Sequence, residues 1–166
     1  MSRWSRIAAA IAIACLALSL ASPRLSAQQI TRERLKNDVG IELLGKGLLY
    51  SFNFQRTINR QIGLEAGLGA FGGGTGEDNA TVLFVPFGAK FYLIPKDGSL
   101  FLTGGVTIVS AGTDAGPFED TGTLGYGGIG FEFRAETGFT FRGTAYGLFS
   151  GDGFFIWPGL TLAYAF

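Results

Sequence analysis

The sequence predicts an all-β fold, an eight-stranded antiparallel up-and-down transmembrane β-barrel. Three observations carry that expectation. Apolar residues recur at every second position in segment after segment, the period of a strand whose two faces meet different surroundings. No amphipathic run of helical length and 3.6-residue period interrupts them. The composition, 16 Phe and 27 Gly in 166 residues with a single Met and no His, favours β structure with crowded packing.

The amino-terminal segment stands apart. Arg3 and Arg6 precede an apolar stretch at 7–21, and the small-residue segment Leu25-Ser26-Ala27 follows, so residues 1–27 read as a secretory signal peptide cleaved after Ala27. The stretch is too short for a helical anchor, which needs about 20 apolar residues. Cys15, the only cysteine, lies inside it, and Ala12-Ile13-Ala14-Cys15 fits a lipoprotein cleavage site poorly. The thiol is therefore expected to leave with the leader, and the mature chain to have no disulfide and no cysteine-ligated metal. Removing Arg3, Arg6 and Arg24 from the 13 basic residues leaves 10 against 13 acidic ones, a net charge of −3. That balance argues against nucleic acid as a partner.

Residues 28–38 carry Arg32, Arg34 and Lys36 and read as a polar periplasmic leader, a tail or short helical turn. The barrel is assigned to 39–166, with strands expected at 39–44, 47–57, 61–72, 80–94, 100–110, 121–135, 138–149 and 154–166. The tight turn Gly45-Lys46-Gly47 separates the first two. One long bent strand over 39–57 would instead leave an odd number, which such barrels avoid. Short polar turns at 58–60, 95–99 and 136–137 alternate with longer connections at 73–79 and 111–120. Membrane barrels keep short turns in the periplasm and longer loops outside, which places 150–153 on the outer side.

The faces divide cleanly. Leu83, Val85, Phe87, Ala89, Phe91 and Leu93 oppose Lys90 and Tyr92; Ile129, Phe131 and Phe133 oppose Tyr126, Glu132 and Arg134; Phe139, Phe141, Ala145 and Phe149 oppose Thr140, Arg142, Thr144 and Tyr146. A soluble β domain usually carries frequent Lys, Glu and Asp on its outer face. Here the polar face is mostly Gly, Ser, Thr, Asn, Gln and Tyr, which suits the interior of a narrow barrel of about 8 strands. Charges enclosed there must be paired. Glu42, Glu65 and Glu132 against Lys90, Arg134 and Arg142 predict a neutral, ion-paired plug. Pro86 and Pro158 are expected at bulges or near strand ends, and Tyr50, Phe52, Phe91, Tyr164 and Phe166 in interfacial girdles.

The chemistry that the residues exclude is broad. Without histidine there is no His-based triad, no His-metal site and no imidazole acid/base catalysis. The run Gly72-Gly73-Gly74-Thr75-Gly76 lacks the Lys-Ser/Thr ending of a phosphate loop and reads as an outer loop. Glu65 and Glu132 as an acid/base pair are weighed against charge neutralisation, which the pairing argument favours. The expected outer loops carry Glu77, Asp78, Asp114, Glu119, Asp120 and Asp152, with Lys46 almost their only base. These carboxylates could hold divalent cations or simply be solvated; none has the spacing of a calcium loop. No metal or other cofactor is expected.

The final strand has apolar Phe154, Ile156, Leu160, Leu162, Tyr164 and Phe166 on one parity and stops on Tyr164-Ala165-Phe166. It resembles the closing strand of bacterial outer-membrane β-barrels. In that family the terminal aromatic is recognised by the barrel insertion machinery, which implies that Tyr164 and Phe166 form the insertion signal. Together with the signal peptide, the alternating strands and the asymmetry of turns and loops, this makes the chain similar over nearly all its mature length to small eight-stranded proteins of the OmpA/OmpX kind. Glu42-Leu43-Leu44-Gly45-Lys46-Gly47-Leu48-Leu49-Tyr50-Ser51-Phe52-Asn53 also resembles the opening of many bacterial barrel proteins. The resemblance implies the bacterial outer membrane, with its lipid, lipopolysaccharide and insertion machinery as partners. Fold alone does not fix function. Three readings follow: a non-enzymatic barrel with a blocked polar lumen, a lipid-modifying barrel enzyme, and a soluble lipocalin-like barrel with its phenylalanines turned inward around a hydrophobic ligand.

Overall fold

The computed structural model describes residues 30–73, 80–113, 116–151 and 153–166. A short helix, α1 (Thr31–Arg34), leads into β1 (Asn37–Leu44), β2 (Tyr50–Thr57), β3 (Ile62–Gly73), β4 (Ala80–Tyr92), β5 (Gly98–Thr113), β6 (Gly116–Arg134), β7 (Phe139–Ser150) and β8 (Gly153–Ala165). Each strand pairs with the next, all antiparallel, and the ring is a closed barrel. Closure is made by β1 and β8, in register from Asp38↔Ala165 to Leu44↔Gly159. Beyond that ladder the Phe166 N–H donates to the Asn37 carbonyl at 2.8 Å, and the Asn37 N–H to the Phe166 carbonyl at 3.1 Å. One end of the barrel, the terminal end, therefore gathers α1, the start of β1 and residue 166; the opposite one is the loop end.

Segment 39–44 is a strand of its own, paired with β2 as far as Leu43↔Tyr50, so the count is even. It begins at Asn37 because Asn37 and Asp38 continue both ladders. The connection expected at 111–120 is instead mostly strand: β5 runs on to Thr113 and β6 starts at Gly116, with a register shift between Ala111 and Thr113. Glycine, proline and acidic residues hide strand alternation there, and the irregularity breaks its parity.

The prolines sit neither at bulges nor at strand ends. Pro86 lies mid-strand opposite Thr107, and Pro158 opposite Ala145. Even-numbered residues of β4 turn their N–H toward β3, as Tyr92 does in donating to the Gln61 carbonyl at 2.7 Å. At Pro86 that side is where the β3–β4 pairs pass from Ala66↔Phe87 to Gly69↔Phe84 with register unchanged. In β8 the even residues turn toward β1, and β1 makes its last pair at Leu44↔Gly159, leaving Pro158 beyond it. Each missing donor thus falls where a ladder is interrupted.

The apolar stripes face outward. Phe52, Leu64, Phe87, Leu102, Ile129, Phe141, Phe149 and Leu162 are exposed on the wall, and Ile156 reaches 72% exposure. The opposite parity is buried and polar: Ser51, Asn53, Gln55 and Thr57 on β2, Thr140, Arg142 and Thr144 on β7. This arrangement is the reverse of a lipocalin-like interior and removes that reading. Among the described residues no helix is long and apolar enough to cross a membrane; the apolar wall is made of strands instead.

Glycines make the narrow interior possible. A Cβ on Gly88 would fall on the Tyr126 hydroxyl, and one on Gly105 would meet the Phe87 carbonyl and lie 2.6 Å from the same hydroxyl. Gly105→Val should therefore lower stability by about 1–3 kcal/mol through overpacking. The urea midpoint of the folded, heat-modifiable gel band would read it; an unchanged midpoint would mean that the lumen is looser than described.

Candidate functional site

Among the described residues the lumen gathers buried charges of both signs, and it is filled in layers. At the terminal end, Asp38 of β1 faces Glu132 and Arg134 of β6 and Arg142 of β7. Register places Glu132 directly opposite Arg142, an opposite-charge cross-strand pair. The Arg142 Nε donates to Glu132 Oε2 at 2.6 Å, and the Tyr92 hydroxyl donates to the same oxygen at 2.8 Å. Asp38 Oδ2 accepts from Arg134 Nη2 at 2.6 Å and from Arg142 Nη2 at 2.5 Å.

A fifth member comes from outside the sheet. Arg32, on α1, is fully buried; its Nε and Nη2 donate to Glu132 Oε1 at 3.1 and 3.0 Å, and its guanidinium lies 3.7 Å from the centre of the Tyr92 ring. The helix is strapped across the terminal end by its neighbours. The Thr31 N–H and hydroxyl donate to the Asp97 carboxylate, Arg34 donates to the Glu136 carbonyl, and Glu33 pairs with Arg60. The expectation that 28–38 forms a leader outside the barrel is thus corrected at two residues: Arg32 and Asp38 belong to the interior.

Halfway up, Lys90 links the layers. Its Nζ donates to Gln55 Oε1 at 2.9 Å, Gln55 Nε2 donates to the Tyr92 hydroxyl at 2.7 Å, and the same Nζ lies 2.9 Å from Glu65 Oε2. Glu65 also accepts from the hydroxyls of Thr103 at 3.0 Å and Tyr126 at 3.1 Å. Above it lies Lys46, 3.1 Å from Glu65 and 3.2 Å from Glu42, while the Tyr146 hydroxyl donates to Glu42 at 2.7 Å.

Lys46 is a second correction. The sequence places it in an outer turn, but the whole turn Gly45–Gly47 folds inward and Lys46 is 1% exposed. With Arg32, Asp38 and Lys46 added, the buried set among the described residues is five basic and four acidic, a formal excess of one positive charge where neutrality is expected. The sequence signal for Lys46 is its glycine neighbours, which permit a tight reversal. Nothing local tells inward from outward.

At the loop end the lumen is apolar. Leu124, Tyr126, Tyr146 and Leu148 cluster with Leu48, Val109 and Trp157, and Phe84 stacks on Phe71 at 5.2 Å. Period-two reasoning assigns polar side chains to this face and misses the layer. The available signal is the unbroken apolar run Val82-Leu83-Phe84-Val85, in which both parities are apolar.

The remaining predicted positions are scattered. Tyr164 and Phe166 are exposed on the outer wall at the terminal end, as is Phe91, whereas Tyr50 and Phe52 are exposed toward the loop end. Of the acidic set, Glu77, Asp78, Asp114 and Asp152 lie outside the described residues, and Glu119 and Asp120 belong to β6 rather than to a loop. Among the described residues no three His, Cys, Asp or Glu gather to hold a metal ion.

No protein-family model matches the chain, and no curated protein matches it. Solved structures do. The N-terminal β-barrel domain of Pseudomonas aeruginosa OprF is 16% identical at a TM-score of 0.53, covering 79% of this chain and 98% of that one. Yersinia pestis Ail, the attachment invasion locus protein, in complex with the heparin analogue sucrose octasulfate, is 15% identical at a TM-score of 0.51, covering 78% and 95%. Ail in a phospholipid bilayer nanodisc, described as an outer membrane protein, is 13% identical at a TM-score of 0.50, covering 79% and 97%. At such identities the likeness is one of fold, and the chain shares the closed eight-stranded barrel of these outer-membrane proteins.

Proposed function

We propose that the protein is a non-enzymatic barrel of the bacterial outer membrane, a rigid wall that displays its loop end to the outside and does not conduct. The observation that carries this reading is the division of the wall: large apolar side chains exposed all around it, and a connected network of ion pairs and hydroxyls within. Water offers the outer face nothing, whereas hydrocarbon does, and a closed barrel leaves no open sheet edge inside a bilayer. Lipid and lipopolysaccharide are then its surroundings, residues 1–27 its export signal, and Tyr164 and Phe166 the feature read by the insertion machinery. The loop end, facing outward, serves structural or surface contacts.

Fractionation tests the reading. The mature protein, expressed with its own leader in a Gram-negative host, should stay with the outer membrane through salt and carbonate washing and shift in gel mobility on heating. Recovery in the soluble periplasmic fraction would overturn it. In planar bilayers the wild-type protein should show no sustained current; a steady open conductance would refute the blocked lumen while leaving the location intact.

A further inference from the structure

The connection between β1 and β2 differs from an ordinary hairpin loop. It leaves the wall after Leu43↔Tyr50, turns into the barrel, and buries Gly45, Lys46 and Gly47 against β1, β2, β3, β4, β7 and β8. The chain enters and leaves this excursion through Leu44, at φ 60° and ψ −138°, and Leu48, at φ 65° and ψ −70°. They are the only non-glycine residues with positive φ among the described ones. Leucine avoids both conformations because its Cβ crowds the neighbouring backbone. At Leu48 the strain takes the form of a γ-turn, with the Leu49 N–H donating to the Gly47 carbonyl at 3.0 Å. The Leu44 N–H donates to the Leu49 carbonyl at 2.6 Å and so draws the two legs together at the neck.

A strained backbone persists only where its surroundings hold it. Here the hold is a small set of contacts inside the lumen. Lys46 Nζ pairs with Glu42 and Glu65, the Thr107 hydroxyl donates to the Lys46 carbonyl at 3.0 Å, and Trp157 Nε1 donates to the Leu48 carbonyl at 3.1 Å. The recess is shaped for the turn: a Cβ on Gly159 would lie 3.0 Å from the Gly45 Cα and 2.6 Å from the Tyr146 ring. Strain sits at the two ends of the excursion and attraction at its tip. A segment of that kind has an alternative, in which both leucines relax to extended φ and the turn swings out of the lumen as a plain hairpin loop.

We propose that the turn Gly45–Gly47 is a displaceable plug at the loop end of the lumen, hinged at Leu44 and Leu48 and latched by Lys46 between Glu42 and Glu65. It goes beyond the closed barrel proposed above, because it makes one movable segment part of the closure at this end, beside the apolar layer around Leu124 and Leu148.

Trp157 is a built-in reporter. Trp4 lies in the proposed export signal, so in the mature chain Trp157 is the single tryptophan, and its indole N–H is bonded to the hinge carbonyl of Leu48. Lys46→Met keeps the length of the side chain and removes the latch. Trp157 emission should then shift to longer wavelength, and its quenching constant with aqueous acrylamide should rise roughly threefold as the outward population grows. Leu44→Gly lifts the strain at one hinge without touching the latch or the apolar cluster in which Leu48 and Trp157 pack. That substitution should lower the quenching constant in the wild-type background and restore shielding when added to Lys46→Met. The heat-modifiable gel shift reports whether each variant is folded, and Leu44→Gly remains decisive should Lys46→Met fail to fold. Unchanged quenching in Lys46→Met, or Leu44→Gly leaving either background unaltered, would show a fixed turn and end the proposal. Neither result bears on whether the barrel lies in the outer membrane.

Discussion

Glu132→Ala should destabilise the barrel by about 3–5 kcal/mol, the usual consequence of removing one partner from a buried ionic group. Glu132 lies between three guanidiniums, those of Arg32, Arg134 and Arg142, and accepts from Tyr92 as well. Truncation leaves Asp38 as the carboxylate opposing Arg134 and Arg142, and Arg32 without its described ion-pair partner, while all three guanidiniums stay buried. The penalty comes from the charges left behind more than from the worth of the pairs themselves. Denaturant unfolding in detergent micelles measures it. Arg60→Ala, which breaks an exposed pair with Glu33, is the control and should leave the midpoint nearly unchanged, since solvent screens such pairs. Equal midpoints for the two variants would mean that the lumen is hydrated enough to screen its charges.

Ile129→Lys should cost about 2–4 kcal/mol in phospholipid vesicles, because the residue lies midway along the outer wall, where a bilayer is driest. It is 51% exposed and pairs with Leu102 and Ala145, both on the same apolar face. Tyr164→Lys, at the terminal end of the wall, should cost only about 0–1 kcal/mol. The contrast between the two positions is the informative quantity. A wall bathed in water would accept lysine at either site without loss, so a zero difference would contradict a membrane location.

Most of the wall is legible in the sequence, since a period of two needs no knowledge of the partner strand. Leu83, Phe87 and Phe91 alternate with Phe84, Gly88 and Tyr92 whichever strand lies beside them. What period cannot express is a place where both faces are apolar, and so the layer around Leu124 and Leu148 escapes it. Nor can it follow the chain out of the sheet. Lys46 and Arg32 reach the lumen from a turn and a helix, through the glycines at 45 and 47 and the strap of Thr31 on Asp97, which are tertiary facts. The prolines mislead for a related reason: whether a missing N–H matters depends on where the neighbouring ladder stops.

The pairing of β1 with β8 has a kinetic consequence. These two strands are the most distant in the sequence and yet adjacent in space, joined down to Asn37 and Phe166. The cylinder cannot seal until β8 has been made, and every product lacking that strand carries two bare edges able to recruit strands from other molecules. High contact order of this sort makes assembly slow and concerted. The polypeptide therefore has to be escorted as an open chain, and loss of the last strand should yield aggregates rather than a smaller barrel.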